Sequence, residues 1–313
     1  MRKSLLYMIC SVLLLTGCHY KDLEESEIRY DMRVVFEWDE CPEAQPKGML
    51  FYIFAADAMP ASVPFDDVNG GPVVLQKGTY QLMAYNDGTE LQSRGTTWQD
   101  FELYPLTTSL SRVSDMFANS RAPLAQATES QPVIEQPDSL ETASLNDYAV
   151  DPSRENVITF MMHEATKTYR FIIKDVQNLQ YVTSLMATLS GMSESWLPGP
   201  EHSSDTECLI PFDLEKTGES SMAGSVRTFG HCPVESNLHS HYLTIYCEME
   251  NGQKYYYVVD VTELVHQTEH WDGGDIPIVI SGLPLPDPVP AEQDGGFQPN
   301  VDEWNEVTYE IEL

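Results

Sequence analysis

Positive charge is the scarcest feature of this 313-residue chain: 17 Lys and Arg stand against 49 Asp and Glu, for a formal net charge of −32. Binding to a polyanion requires Lys and Arg to displace condensed counterions, so nucleic acid is excluded as a partner. Cysteine is also sparse, with six in all and no C-x-x-C pair that would suggest a zinc ribbon or a dithiol redox centre. No G-x-G-x-x-G or G-x-x-x-x-G-K-[ST] loop occurs, which argues against nucleotide cofactors, and no G-x-S-x-G elbow presents a serine nucleophile. No internal repeat is legible, which argues against solenoids and propellers. The longest apolar run, Leu5 to Leu15, is too short to cross a bilayer core of roughly 30 Å as a helix. What the chain does have is 42% hydrophobic and 10% aromatic residues, enough to build packed cores, and a length that suggests about two domains.

Arg2 and Lys3 followed by that short apolar run read as a secretory signal over residues 1–17. Leu15-Thr16-Gly17-Cys18 look like a bacterial lipobox, in which small residues fit the signal peptidase and the Cys thiol takes a diacylglyceryl group. Cys18 is therefore the expected lipid attachment site and first mature residue. Removing residues 1–17 takes away two cations and moves the charge from −32 to −34. Residues 18–27 then form an acidic tether with little to bury. Cys41, Cys208, Cys232 and Cys247 remain; export permits a Cys208–Cys232 or Cys232–Cys247 bridge, and buried free thiols fit equally well.

Beyond the tether the pattern is that of strands. Ile28, Tyr30, Met32, Val34, Phe36 and Trp38 alternate with Arg29, Asp31, Arg33 and Glu37, the period of two of a half-buried strand. Met49 to Ala55 reads as its buried partner, and turns at Asn69-Gly70-Gly71, Lys77-Gly78 and Asn86-Asp87-Gly88 suggest an antiparallel meander. Trp98 to Tyr104 adds a strand. Residues 119–152, rich in Pro, Ala, Ser, Thr, Gln and acids, read as a long mobile loop. Strands return at 156–162, 167–176, 182–189, 207–214, 221–229, 241–249, 254–261 and 276–280, with a short helix within 261–270 that uses Leu264 and Val265 as contacts. A Pro-rich linker follows over 284–299, and Val307, Tyr309, Ile311 and Leu313 alternate to the C-terminus. The expected fold is all-β, with two antiparallel β-sandwich domains over 28–165 and 166–313.

Candidate chemistry is thin. His231, Cys232, His239 and His241 fall close together, and His239 and His241 on a strand would point to one side, but a turn before a strand explains them as well. His266 and His270 share a helix face without the His-Glu-x-x-His order. Asp272-Gly273-Gly274-Asp275 and Asp294-Gly295-Gly296 offer oxygens to Ca²⁺ without EF-hand spacing. No metal, cofactor or catalytic residue is therefore expected. Trp98, Trp196, Trp271 and Trp304 lie in or near loops and could form a sugar-stacking platform, so a glycan-binding surface lipoprotein of a polysaccharide-utilisation system stands as the alternative function.

The run Cys18-His19-Tyr20-Lys21-Asp22-Leu23, the strand Arg33 to Trp38, Phe51-Tyr52-Ile53-Phe54, and Gly70-Gly71 followed by Gly78 to Asn86 resemble a domain-of-unknown-function family of Bacteroidales surface lipoproteins. That family is similar to fimbrillin-like anchor and accessory proteins. The resemblance covers mainly residues 18–105, and Glu24 stands where members often carry a second Cys. It implies two transthyretin-like β-sandwiches tethered by lipid, displayed on the outer membrane, with a role in anchoring or decorating fimbriae or in adhesion. Acidic residues beside the lipidated Cys resemble a surface-display signal; a periplasmic spacer is the other reading. Fimbrial subunits as partners would be joined by strand exchange, for which Val307 to Leu313 has a suitable pattern, although it could equally complete its own sheet. Shaft subunits are matured by cleavage after an early Arg; Arg29 and Arg33 are available, on the polar face of the first strand.

Overall fold

The computed structural model describes residues 28–56, 58–117, 122–124, 128–151, 156–232, 239–267, 274–287 and 304–308. The first half contains β1 (Arg29–Glu37), β2 (Met49–Phe54), β3 (Ala61–Phe65), β4 (Gly70–Gln76), β5 (Gly78–Asn86), β6 (Gln92–Arg94), β7 (Glu102–Tyr104), α1 (Ser111–Met116), β8 (Glu141–Val150), β9 (Val157–Met161) and β10 (His163–Glu164). The second contains β11 (Lys167–Lys174), β12 (Val182–Ser193), β13 (Trp196–Leu197), β14 (His202–Ser203), β15 (Glu207–Asp213), β16 (Glu215–Lys216), β17 (Met222–Thr228), β18 (Tyr242–Met249), β19 (Lys254–Asp260), α2 (Thr262–His266), β20 (Ile276–Ser281) and β21 (Trp304–Thr308).

The strands form two β-sandwiches. In one, sheet β4-β1-β9 faces sheet β10-β8-β5-β2-β3. Alternation in β1 sends Met32, Val34 and Phe36 inward, where they meet Phe51, Phe65, Leu82, Ile158 and Phe160. Phe36 and Phe160 lie 5.9 Å apart between ring centres, and Phe51 meets Phe160 edge-on at 5.8 Å. In the other, sheet β16-β17-β11-β20 faces sheet β15-β12-β18-β19-β21. Its core gathers Tyr169, Phe171 and Ile173 with Leu189, Ile210, Phe212, Ile245, Tyr257 and Ile278.

The two sandwiches share one wiring plan that the sequence does not display as a repeat. β1 pairs antiparallel with β4 and parallel with β9, and β11 does the same with β17 and β20. The opposing sheets run β3-β2-β5-β8 in one case and β15-β12-β18-β19 in the other. Beyond this common set, β10 lies outside β8 and β21 lies outside β19.

Three expectations change. β2 is not the partner of β1; it lies in the opposite sheet between β3 and β5, because burial on the facing sheet satisfies its apolar residues as well as lateral pairing would. The turn at Lys77-Gly78 joins β4 and β5 across the sandwich instead of continuing a meander within one sheet. The segment read as a loop over 119–152 contains β8, which fills a central position beside β5. Its first half is bonded into the fold: Glu141 N–H donates to Asn86 Oδ1 at 2.9 Å, Thr142 Oγ1 to Ala84 O at 3.2 Å, and Ser144 N–H to Glu201 Oε1 at 2.7 Å, while Asn146 and Asp147 are exposed.

A fifth, small sheet, β14-β13-β7-β6, joins the halves through the Trp196–Leu103 pair. Trp98, Phe101, Leu103 and Phe229 pack beside it with Phe54 and Tyr85. Residues 106–117 and 128–136 reach the second sandwich, with Val133 bridged to Leu209 and Arg112 paired to Asp213 at 2.5 Å. No described helix is long and apolar enough to cross a membrane.

Candidate functional site

Cys18, the candidate lipid site, lies outside the described residues, as do Trp271, Asp272, Gly273, Asp294 to Gly296 and His270. Arg29 and Arg33 are exposed on the polar face of β1. β1 is locked between β4 and β9, so it is integral to its sheet. The thiols of Cys41, Cys208, Cys232 and Cys247 are all free; neither candidate bridge forms. Burial foremost pushes Cys41 up to about 11 and Cys232 and Cys247 up to about 12, and raises Cys208 well above the ordinary thiol range.

Among the described residues the tryptophans do not make a platform. Trp98 is buried against the backbone of Gly199, where an added Cβ would stand 2.1 Å from Trp98 O. Trp196 packs into the same cluster, and Trp38 Nε1 donates to Val68 O at 2.9 Å. Trp304 sits apart on the far sheet. Buried and scattered rings cannot stack along one sugar chain.

The final strand is the feature with the clearest binding geometry. The described part of the expected C-terminal strand is β21, which starts at Trp304, and residues 309–313 lie outside the described set. It lies parallel to β19, with Lys254 opposite Trp304 and Val258 opposite Thr308. Asn305 Nδ2 donates to Lys254 O at 3.1 Å. Trp304 is its anchor: the ring meets Phe117 at 5.0 Å, Tyr246 at 5.5 Å and Tyr256 at 6.5 Å, each edge-on. This groove exists because α1 brings Val113 and Phe117 down on the outer face of β18 and β19, where Tyr246 OH donates to Pro123 O at 2.8 Å. The indole N–H of Trp304 is buried and finds no acceptor among the described residues, a cost of about 1–3 kcal/mol. Alternation alone points to Val307 onward and misses Trp304, which the sequence groups with the loop aromatics.

The histidines separate differently from the sequence expectation. His239 leaves its neighbours and pairs with the Glu207 carboxylate. His241 is fully buried, and His231 and His266 converge on it from two other segments. A bulge in β12 between Ser190 and Met192 makes this convergence. Met192 bridges to His231, Ser190 O accepts from His241 Nδ1 at 3.2 Å, and Gly191 adopts φ +77°. An added Cβ at Gly191 would stand 2.4 Å from Ser240 O and 2.8 Å from His241 Nδ1, so the close approach requires glycine. α2 then supplies His266, whose Nε2 is 3.2 Å from His241 Nε2. Burial above all drives His241 down to about 4, against the raising bond to Ser190 O, with the neighbouring imidazoles adding to the fall. The sequence spacing linked His266 to His270 on one helix face; α2 ends at His266, and the partner comes from 25 residues away.

Comparison with known proteins adds three findings. A family model described as "Domain of unknown function (DUF5119)" matches residues 17–213. A Bacteroides ovatus protein provisionally named fimbrium anchoring subunit Fim4B is 23% identical over 220 residues, covering 69% of this chain; the chain spans only 61% of that relative's length. The crystal structure of a provisionally named adhesin from Bacteroides ovatus superposes with a TM-score of 0.65 at 18% identity, over 88% of this chain and 99% of that one. It carries the same fold. The fimbrial anchor protein Mfa2 of Porphyromonas gingivalis superposes at a TM-score of 0.48 and 13% identity over 81% of this chain and 90% of that one, too loose a fit to carry an argument.

Proposed function

The chain belongs to the DUF5119 family, and from that premise we propose that it is a lipid-anchored cell-surface protein that anchors or decorates fimbriae, acting by binding and not by catalysis. The name of the Bacteroides ovatus relative supports the fimbrial role. The observation that carries the reading is β21: a late strand laid parallel on a sheet edge, reached after residues 288–303, and held by one aromatic anchor whose indole N–H finds no acceptor among the described residues. Main-chain pairing at an edge provides affinity, and a pocket for one large side chain provides specificity, which is the physics of strand addition. In this reading the groove that β21 fills in its own chain, or β21 itself, is what a fimbrial subunit engages by strand exchange.

The same reading places a signal over 1–17, lipid on Cys18 holding the chain to the outer membrane, a tether over 18–27, and sandwich domains over 28–165 and 166–313. The integral position of β1 fits a subunit that keeps its first strand, because loss of β1 would strip Met32, Val34 and Phe36 from the core. The surplus of acid suits solubility outside the cell and repulsion from anionic membranes.

The test is capture of the chain from intact cells of its host, with surface protease shaving beforehand and mass spectrometry of the co-purifying chains. Expected are surface shaving, recovery of fimbrial shaft subunits in a heat-resistant complex, and loss of membrane association in Cys18→Ala. A solitary chain, or one that travels with sugar importers, would overturn the fimbrial role.

A further inference from the structure

We propose that His241, His266 and His231 form a binding site for a borderline divalent transition-metal ion, with Zn²⁺ as the fitting ion and water as a further ligand. Three imidazoles that share one Zn²⁺ at about 2.0–2.1 Å hold their ring centres about 5 Å apart, and two of their nitrogens about 3.3 Å apart. Here the ring centres are 5.1, 5.4 and 6.1 Å apart, and the two Nε2 atoms are separated by 3.2 Å.

The surroundings orient the rings as metal ligands are oriented. His241 Nδ1 faces Ser190 O at 3.2 Å and His231 Nδ1 faces Cys232 O at 2.9 Å. A backbone carbonyl at Nδ1 fixes the proton there and leaves the Nε2 lone pair for a metal, the usual arrangement of a ligating histidine with its supporting acceptor. Borderline ions favour imidazole.

Among the described residues no three His, Cys, Asp or Glu side chains stand, as placed, where they could hold a metal ion. The His241–His266 pair is preformed, and His231, partly exposed, swings in to complete it. Without metal, one proton sits between the two Nε2 atoms: His266 donates and His241 accepts. On binding, the ion takes that place and His266 coordinates through Nε2 as its Nδ1–H tautomer. His239 stays outside the site, on Glu207. The site is independent of the fimbrial role, and neither result below bears on it.

The test uses the full chain without a histidine tag, solubilised in detergent and stripped with EDTA. Zn²⁺ is titrated by calorimetry, and Co²⁺ is followed by its visible absorption bands. Expected are one ion per chain, a rise in melting temperature on adding Zn²⁺, and intense Co²⁺ bands of low coordination number. His266→Ala should weaken binding more than about 10-fold, while its melting temperature in EDTA stays near that of the parent and His239→Ala binds as the parent does. His266 is the chosen variant because it is partly exposed, whereas loss of buried His241 risks the fold. No stoichiometric binding, or binding that His266→Ala leaves intact, would show that the pair is a hydrogen bond and nothing more.

Discussion

Glu141 is 5% exposed, and its carboxylate accepts from Ser139 Oγ at 2.8 Å. Burial foremost raises its pKa, with Glu164 adding to the rise, while the Ser139 bond and Arg227 oppose it. An acid whose pKa is raised on folding binds more protons folded than unfolded between the two values. Stability therefore falls as pH climbs through that window and is regained on acidification. Glu141→Gln should thus be more stable than the parent at pH 7, by about 1 kcal/mol, with the gain shrinking as the pH approaches the ordinary carboxylate range. Urea unfolding at the two pH values measures it, and a variant less stable at pH 7 would contradict the assignment. The thiols give a second residue-scale prediction. Cys41 Sγ donates to Met162 O at 3.1 Å, and the other three are buried. Thiolate is the reactive form, so a thiol reagent at pH 8 should label these four slowly until denaturant is added. Reductant should leave the melting temperature unchanged; a drop would reveal a bridge.

Among the elements, β21 and β8 teach opposite lessons. β21 depends on one ring, so Trp304→Ala should release it at a cost of about 2 kcal/mol, below the usual core value because the ring is only half-buried. Hydrogen exchange should quicken at the β19 amides that face β21 and stay slow across β12 and β18. Uniform quickening would mean that β21 is part of the global fold and not a detachable strand. β8 was invisible to sequence reasoning because Glu-Thr-Ala-Ser-Leu-Asn-Asp-Tyr lacks apolar alternation. Its place is held by side-chain bonds to Asn86, Ala84 and Glu201, partners that only the folded chain brings near. β1, by contrast, was readable, since one face meets the core and the other meets water. The imidazole cluster fell between these cases. Its residue types stood out, but its pairing was set by a bulge at Gly191 and a strand-to-helix turn, neither of which has a spacing signature.

For the molecule as a whole, the two sandwiches bury separate cores yet are joined by the sheet of β6, β7, β13 and β14 and by Phe229, which crosses to Phe54 and Phe101. Calorimetry should show one cooperative transition in the parent and two in Leu103→Ala, whose side chain is 1% exposed at that junction. Two transitions in the parent would mean that the junction is weak. The duplicated wiring has a mechanical meaning. The chain enters each sandwich by a strand that pairs in parallel with a late strand of the same sandwich, β1 with β9 and β11 with β20, ahead only of the added edge strands β10 and β21 among the described residues. Tension applied along the chain pulls such a pair from opposite ends, so it slides the strands past each other and loads every bond of the pair at once instead of opening them one by one like a zip. Each sandwich is thus a shear clamp in series with the next, and resistance to a pull is governed by the rate of that slip and not by equilibrium stability.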